Sequence, residues 1–177
     1  MQPQTTDDVD FDGEGEDFAS FAVTVTRTDA HWHVCEFDDD FDDLDTSIRA
    51  VRALRAEGPA FALLCVDDDY FIVVRPSPNR TRVLLSDATA GVEDDIAAAA
   101  LEEIGAEVPD LNPDEVEDVD PWAEGDFDIL ADLGLSEQVM GLITDDLDAW
   151  ASEQIVRVAE ELGFDDELFD EVEIPEH

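Results

Sequence analysis

FALLCVDDDYFIVV, residues 61–74, holds two apolar runs separated by three aspartates. Neither run alternates polar with apolar residues. A strand with one face in water would alternate, so 61–66 and 70–74 read as neighbouring central strands covered on both faces, joined by a tight turn at Asp67, Asp68 and Asp69. Two such strands require a layer of helices on each side of the sheet.

The flanking sequence supplies the pieces. FASFAVTVTR (18–27) alternates and is rich in β-branched residues, TDA reads as a turn, and HWHVCEF (31–37) reads as the hairpin partner. FDDLDTSIRAVRALRAEG (41–58) is an amphipathic helix with Leu44, Ile48, Val51 and Leu54 on one face, ended by Gly58-Pro59. PSPN makes the next turn, TRVLLS (81–86) is a further strand, and Ile96, Ala100, Leu101 and Ile104 mark a second helix closed by Gly105. Residues 106–125, with three prolines and dense acids, read as a linker. Residues 126–172 read as helical, with Ser136 and Ser152 of the repeated SEQV and SEQI stretches placed as helix caps. The expected class is α+β. A mainly antiparallel sheet of about five strands in the order β-β-α-β-β-β-α carries two helices, and the C-terminal helical segment of the same domain packs back onto it. An acidic tail (1–17), a core (18–105), the linker (106–125), the helical segment (126–172) and a short tail (173–177) complete the division.

Charge narrows the function classes. The 177 residues carry 50 carboxylates against 8 basic residues, all arginine, for a formal net charge of −42. Such a body repels nucleic acid backbone and anionic membrane, so neither is expected as a direct partner; basic protein surfaces, cations or only solvent remain. The acids are not confined to the tail, the linker and the C-terminus, since 26 carboxylates against the 8 arginines remain outside residues 1–17, 107–128 and 165–176. The sequence has no signal-peptide pattern, no apolar run long enough to span a bilayer and only two cysteines, Cys35 and Cys65, so a cytosolic protein with reduced thiols is expected.

Motifs for chemistry are sparse. Asp8, Asp10, Asp12 and Gly13 imitate the start of a calcium loop, but the twelfth position, which needs a bidentate carboxylate, is Ala19. His31, His33 and Cys35 alternate and share one strand face. With Cys65 they could form a zinc surface; the other reading is an ordinary hairpin face with Trp32 and Val34 turned to the core. No C-x-x-C or H-x-x-x-H pair accompanies them, and no metal or cofactor is assigned. Ser86, Asp87 and Thr89 sit at a strand end where nucleophiles occur, without a glycine elbow or a histidine signal, so turn and capping roles are expected. Arg49, Arg52 and Arg55 ride the first helix, while Arg75, Arg80 and Arg82 bracket the PSPN turn. Both groups read either as an anion or protein contact or as partners of neighbouring carboxylates.

Three stretches carry a likeness: DDDYFIVVRPSPNRTRVLLSDATAG (67–91), GDFDILADLGLSEQVMGLITDDLDAW (125–150) and VAEELGF (158–164). With the FAVTVTR…HWHV opening they resemble the tRNA adenosine deaminase-associated proteins of actinobacteria, over about Phe18 to Phe169. Trp150-Ala151 stand, after an intervening alanine, where that pattern would place tyrosine-proline, and the PSPN turn is longer than usual. The resemblance implies a protein whose gene is associated with that of the tRNA-editing deaminase, with no reaction assigned. The deaminase itself uses an H-x-E…P-C-x-x-C zinc site, which this chain lacks. The expectation is a non-catalytic cytosolic accessory or regulator of that deaminase, or of another basic protein. The alternatives are an enzyme using Ser86, Asp87 and Thr89, or an acidic nucleic-acid mimic. The expected binding residues are Trp122, Phe127, Met140 and Trp150, with Arg75, Arg80 and Arg82.

Overall fold

The computed structural model describes residues 20–38 and 43–174. The acidic tail at 1–17, with Asp8, Asp10 and Asp12, lies outside them. The strands are β1 (Phe21–Thr28), β2 (His31–Glu36), β3 (Ala60–Val66), β4 (Tyr70–Pro76), β5 (Thr81–Leu85) and β6 (Glu124–Gly125). They form one antiparallel sheet in the order β2-β1-β3-β4-β5-β6. The helices are α1 (Leu44–Ala53), α2 (Asp95–Ile104), the short α3 (Pro113–Val116), α4 (Glu137–Asp145), α5 (Ala151–Leu162) and α6 (Asp165–Glu171). The architecture is α+β, as the sequence implies.

β3 and β4 take the centre, paired from Ala62 opposite Val74 to Val66 opposite Tyr70. Side chains alternate across the sheet. Phe61, Leu63, Cys65, Phe71 and Val73 face one core with Met140, Ile155, Val158 and Phe164 from the C-terminal helices. Ala62, Leu64, Val66, Tyr70, Ile72 and Val74 face a second core with Leu44 and Val51 of α1 and Ile96, Ala97 and Leu101 of α2. The result is three layers, helix on sheet on helix. At roughly 1.5–3 kcal/mol for each large apolar side chain removed from water, both cores are needed to hold the central strands.

The turn between β3 and β4 also anchors the C-terminal layer. Asp67 and Asp68 both adopt left-handed backbone (φ 53 and 55), and Asp69 N–H donates to the Val66 carbonyl at 2.9 Å. Two left-handed residues give the turn whose twist matches its strands, and aspartate tolerates that conformation. The geometry aims Asp68, only 2 % exposed, at the amino end of α5. Its carboxylate accepts from Ser152 N–H at 2.7 Å and its carbonyl from Ala151 N–H at 3.2 Å. Glu153 turns back to accept from Trp150 N–H at 2.8 Å. Three donors of the first turn of α5 are thereby satisfied, two of them by a residue 83 or more positions earlier.

Several local expectations change. α1 ends at Ala53, its last turn tightened by bonds from Leu54 N–H to Val51 and from Arg55 N–H to Arg52. Ser47 is buried on its inner face, while Leu54 is 41 % exposed. Ser136 caps α4 by accepting from Val139 N–H at 3.3 Å. Ser152 does not cap α5: it lies inside the first turn, fully buried, and its hydroxyl has no hydrogen-bond partner. The cap comes from Asp68. The sixth strand, β6, arises where the sequence reads as linker. There Gly125 (φ 122) passes so close to β5 that a Cβ would stand 2.3 Å from the Val83 carbonyl oxygen, leaving room only for glycine.

Replacing Asp68 with alanine leaves the buried Ser152 N–H without an acceptor and should cost about 1–3 kcal/mol in urea unfolding. Asp68→Asn keeps an acceptor and the left-handed turn, and should lose clearly less. Equal losses in the two variants would show that the carboxylate does not cap α5.

Candidate functional site

The antiparallel register sorts the candidate residues between two ends of the sheet. Ala60, Pro76 and Thr81 lie at one end, and Val66, Tyr70 and Leu85 at the other. Arg27, Arg75, Arg80 and Arg82 belong to the first end, and α1 delivers Arg52 and Arg55 there on its way into β3. Asp67, Asp68, Asp69, Asp87 and Asp94 gather at the second.

At the arginine end, three guanidiniums are held by carboxylates. Arg75 grips Asp132 through two bonds of 2.7 and 2.9 Å and donates to the Ile129 carbonyl at 2.7 Å. Arg82, its cross-strand neighbour, donates to Asp126 at 3.0 Å and Asp128 at 2.7 Å, and the more exposed Arg80 stands 3.8 Å from Asp126. Bidentate arginine–carboxylate pairs fix geometry as well as charge. Here they fasten residues 126–132 to the sheet, with Phe127 half-buried between them. The Arg75 guanidinium, bonded to Asp132, holds that carboxyl below the usual aspartate range.

At the carboxylate end, Tyr70 donates its hydroxyl to Asp94 at 3.0 Å. Ser86 accepts from Phe71 N–H at 2.8 Å, and Asp87 accepts from the backbone N–H of Thr89 at 2.9 Å as well as from its hydroxyl. Ser86, Asp87 and Thr89 thus perform the turn and capping roles expected of them. Burial raises the pKa of Asp87, and burial followed by the nearby Asp87, Asp94, Asp67 and Asp68 raises that of Asp69.

Trp122 and Trp150 also sit at this end. The Trp122 carbonyl accepts from Ala88 N–H at 2.8 Å, and Trp150 precedes the helix capped by Asp68. Both rings are partly open to solvent, whereas Met140 is wholly buried in the core. The expected contact residues are therefore divided: Trp122 and Trp150 at one end, Phe127 and the three arginines at the other, Met140 inside.

The end of α4 and its connection to α5 add two side chains that the sequence reading did not single out, Leu142 of α4 (66 % exposed) and Leu147 of the connection (51 % exposed). Their signal was present. Leu142 lies off the Met140–Ile143–Thr144 stripe, and Leu147 falls between acids in DDLDAW. The connection is held in place from α5, where Gln154 donates to the carbonyls of Ile143 (2.9 Å) and Asp146 (3.2 Å) and Arg157 pairs with the Asp146 carboxylate at 3.0 Å. Leu147 thus stands between the exposed Asp145 and Asp148 on a braced corner, with the exposed Leu142 preceding it on α4 and Trp150 following it at the start of α5.

His31, His33 and Cys35 project from β2 on the face away from Val34, and all three are exposed. Cys65 lies in the core on the opposite face of the sheet, where burial pushes its thiol pKa far up. It cannot complete a site with the other three. Among the described residues, no group of three His, Cys, Asp or Glu side chains is placed to hold a metal ion. Trp32 instead packs on Phe164 at 5.2 Å, with Arg27 over its ring.

Fold and surface together define an acidic three-layer α+β protein with two poles of charge. The family model of the Rv3753c-like tRNA adenosine deaminase-associated proteins matches residues 20–165. Protein Rv3753c of Mycobacterium tuberculosis is 45 % identical over 152 residues, which cover 84 % of each chain. No solved structure matches. The chain belongs to the Rv3753c-like tRNA adenosine deaminase-associated family. That description names an associate of the deaminase. No helix among the described residues is long and apolar enough to cross a membrane.

The raised Asp69 and Asp87 values carry a sign. A carboxyl whose folded pKa exceeds its unfolded value binds its proton more readily when folded, so folding gains stability as pH falls through the raised value. Asp132, held low, acts oppositely, and its contribution is lost only below the ordinary aspartate range. Asp69→Asn should therefore raise the melting temperature at pH 7, and the gain should fade as pH falls through the raised value, where the native carboxyl is protonated as well. A gain independent of pH would assign the effect to something other than this carboxylate.

Proposed function

We propose that this protein is a non-catalytic accessory or regulator of a tRNA adenosine deaminase and docks through the α4–α5 connection with the carboxylate end of the sheet. The single observation that carries the reading is the braced corner of Leu142, Leu147 and Trp150 set among carboxylates, on a chain whose family is described by its association with that enzyme. A tRNA-binding enzyme presents a basic surface to phosphate, and the same surface attracts a body of charge −42. Charge speeds the encounter, while affinity comes from desolvated apolar anchors within a polar rim. A corner already held in its docking shape loses little conformational entropy on binding. Asp87 and Thr89 are engaged with each other and Ser86 with the Phe71 backbone, which favours the interaction reading over the enzyme reading. The protein is expected to work in the cytoplasm beside its partner.

The test is surface binding of the purified deaminase at about 0.05 and 0.5 M salt, between which the Debye length falls severalfold. Association should slow as salt rises, with dissociation changing less. Leu142→Ala with Leu147→Ala removes two exposed anchors and leaves both cores intact. It should weaken binding about tenfold or more at unchanged circular dichroism. Competition by tRNA at full strength after this substitution would favour a mimic of nucleic acid, held by charge alone. The accessory reading fails if the two proteins do not bind even at low salt.

A further inference from the structure

The arginine end contains a second kind of surface, independent of partner docking. A groove of about 440 Å³ opens between the end of α1, the following loop and the β4–β5 turn, within the range of small-molecule sites. Arg52 and Arg55 line it together with Val51, Ala60, Pro76 and Pro78. Arg75 also reaches the groove, but Asp132 occupies its guanidinium. Arg52 donates to the Ser77 carbonyl at 3.3 Å. Among the described residues, neither Arg52 nor Arg55 has a carboxylate partner, although the chain carries 50 carboxylates.

The backbone gives a separate indication. Leaving a helix through a left-handed residue favours glycine, and α2 and α5 use Gly105 (φ 90) and Gly163 (φ 99). α1 uses Arg55 (φ 48) at its exit. A side chain in that conformation is strained relative to glycine, because its Cβ crowds the following carbonyl. The macrodipole favours a basic residue in the last turn, and Arg52 already meets that need. Arg55 adds a second guanidinium at the mouth of the groove.

We propose that this groove binds a small phosphorylated molecule, with Arg52 and Arg55 clamping the phosphate and the proline and aliphatic floor receiving the attached body. Planar guanidiniums match phosphate oxygens bidentately and stack on flat groups. The negative charge of the whole body opposes any anion, but at about 0.15 M salt the Debye length is about 8 Å, so carboxylates farther away are screened. Of the nearer ones, Asp132 is already held by Arg75, and Glu57 of the same loop stands against the two guanidiniums of Arg52 and Arg55.

Calorimetric titration of the full chain with ADP, inorganic pyrophosphate and adenosine at that salt tests the site. ADP should bind, with or without pyrophosphate binding alone, and adenosine should not. Arg52→Ala with Arg55→Asn, which keeps a residue tolerant of left-handed backbone, should weaken ADP binding about tenfold or more. Arg80→Ala should leave it unchanged. The proposal is overturned if no phosphate-bearing probe binds at millimolar concentration, if adenosine binds as well as ADP, or if the double variant binds ADP normally. It is equally overturned if a glutamate-rich peptide binds the groove and ADP fails to displace it.

Discussion

The carboxylate of Asp68 is buried at the amino end of α5, where its oxygen 2.7 Å from Ser152 N–H ties the central hairpin to the C-terminal layer. The strands that meet at this turn have no polar face, so they are stable only beneath two helical layers. One layer arrives early in the chain with α1 and α2. The other comes from residues beyond 126 and has to find the sheet across a long connection. A buried charge at a helix terminus is satisfied in only one docked arrangement, which fixes where α5 begins relative to the sheet. Arg75 and Arg82 provide the matching constraint at the opposite end, through Asp132, Asp126 and Asp128.

These long-range ties mark the boundary of what the sequence discloses. The central position of β3 and β4 was legible because unbroken apolar runs have one economical explanation. The hairpin of β1 and β2 and the Ser136 cap of α4 were legible for the same local reasons of period and turn chemistry. α1 continued on paper to Gly58 because Leu54 kept the apolar period. In the structure the chain turns at Arg55 to enter β3, and that choice is tertiary. Ser152 has the right residue type for a cap but lies two residues too far in, inside the first turn, where Asp68 from another element takes the role. β6 is two residues long and paired through backbone alone, so it leaves no side-chain pattern.

The candidate surfaces were legible in kind rather than in grouping. Scarce arginines and exposed tryptophans drew attention individually. Only the folded chain shows that Trp122 and Trp150 share the carboxylate end, while Arg75, Arg80 and Arg82 share the other with Asp132, Asp126 and Asp128 as their partners. The paired arginines are structural fasteners in the folded chain. Arg52 and Arg55, which have no carboxylate partner among the described residues, look no different in sequence from their neighbours.

Using arginine for every basic residue has a physical consequence in so acidic a chain. A lysine ammonium is a hydrated point charge, whereas one guanidinium can hold two carboxylates at defined angles, as Arg82 does with Asp126 and Asp128. Few cations can then organise many anions. Because most of them lie at one end of the sheet, the molecule carries a charge gradient along the strands as well as a net charge. In the field of a basic surface, such a body turns its carboxylate end inward.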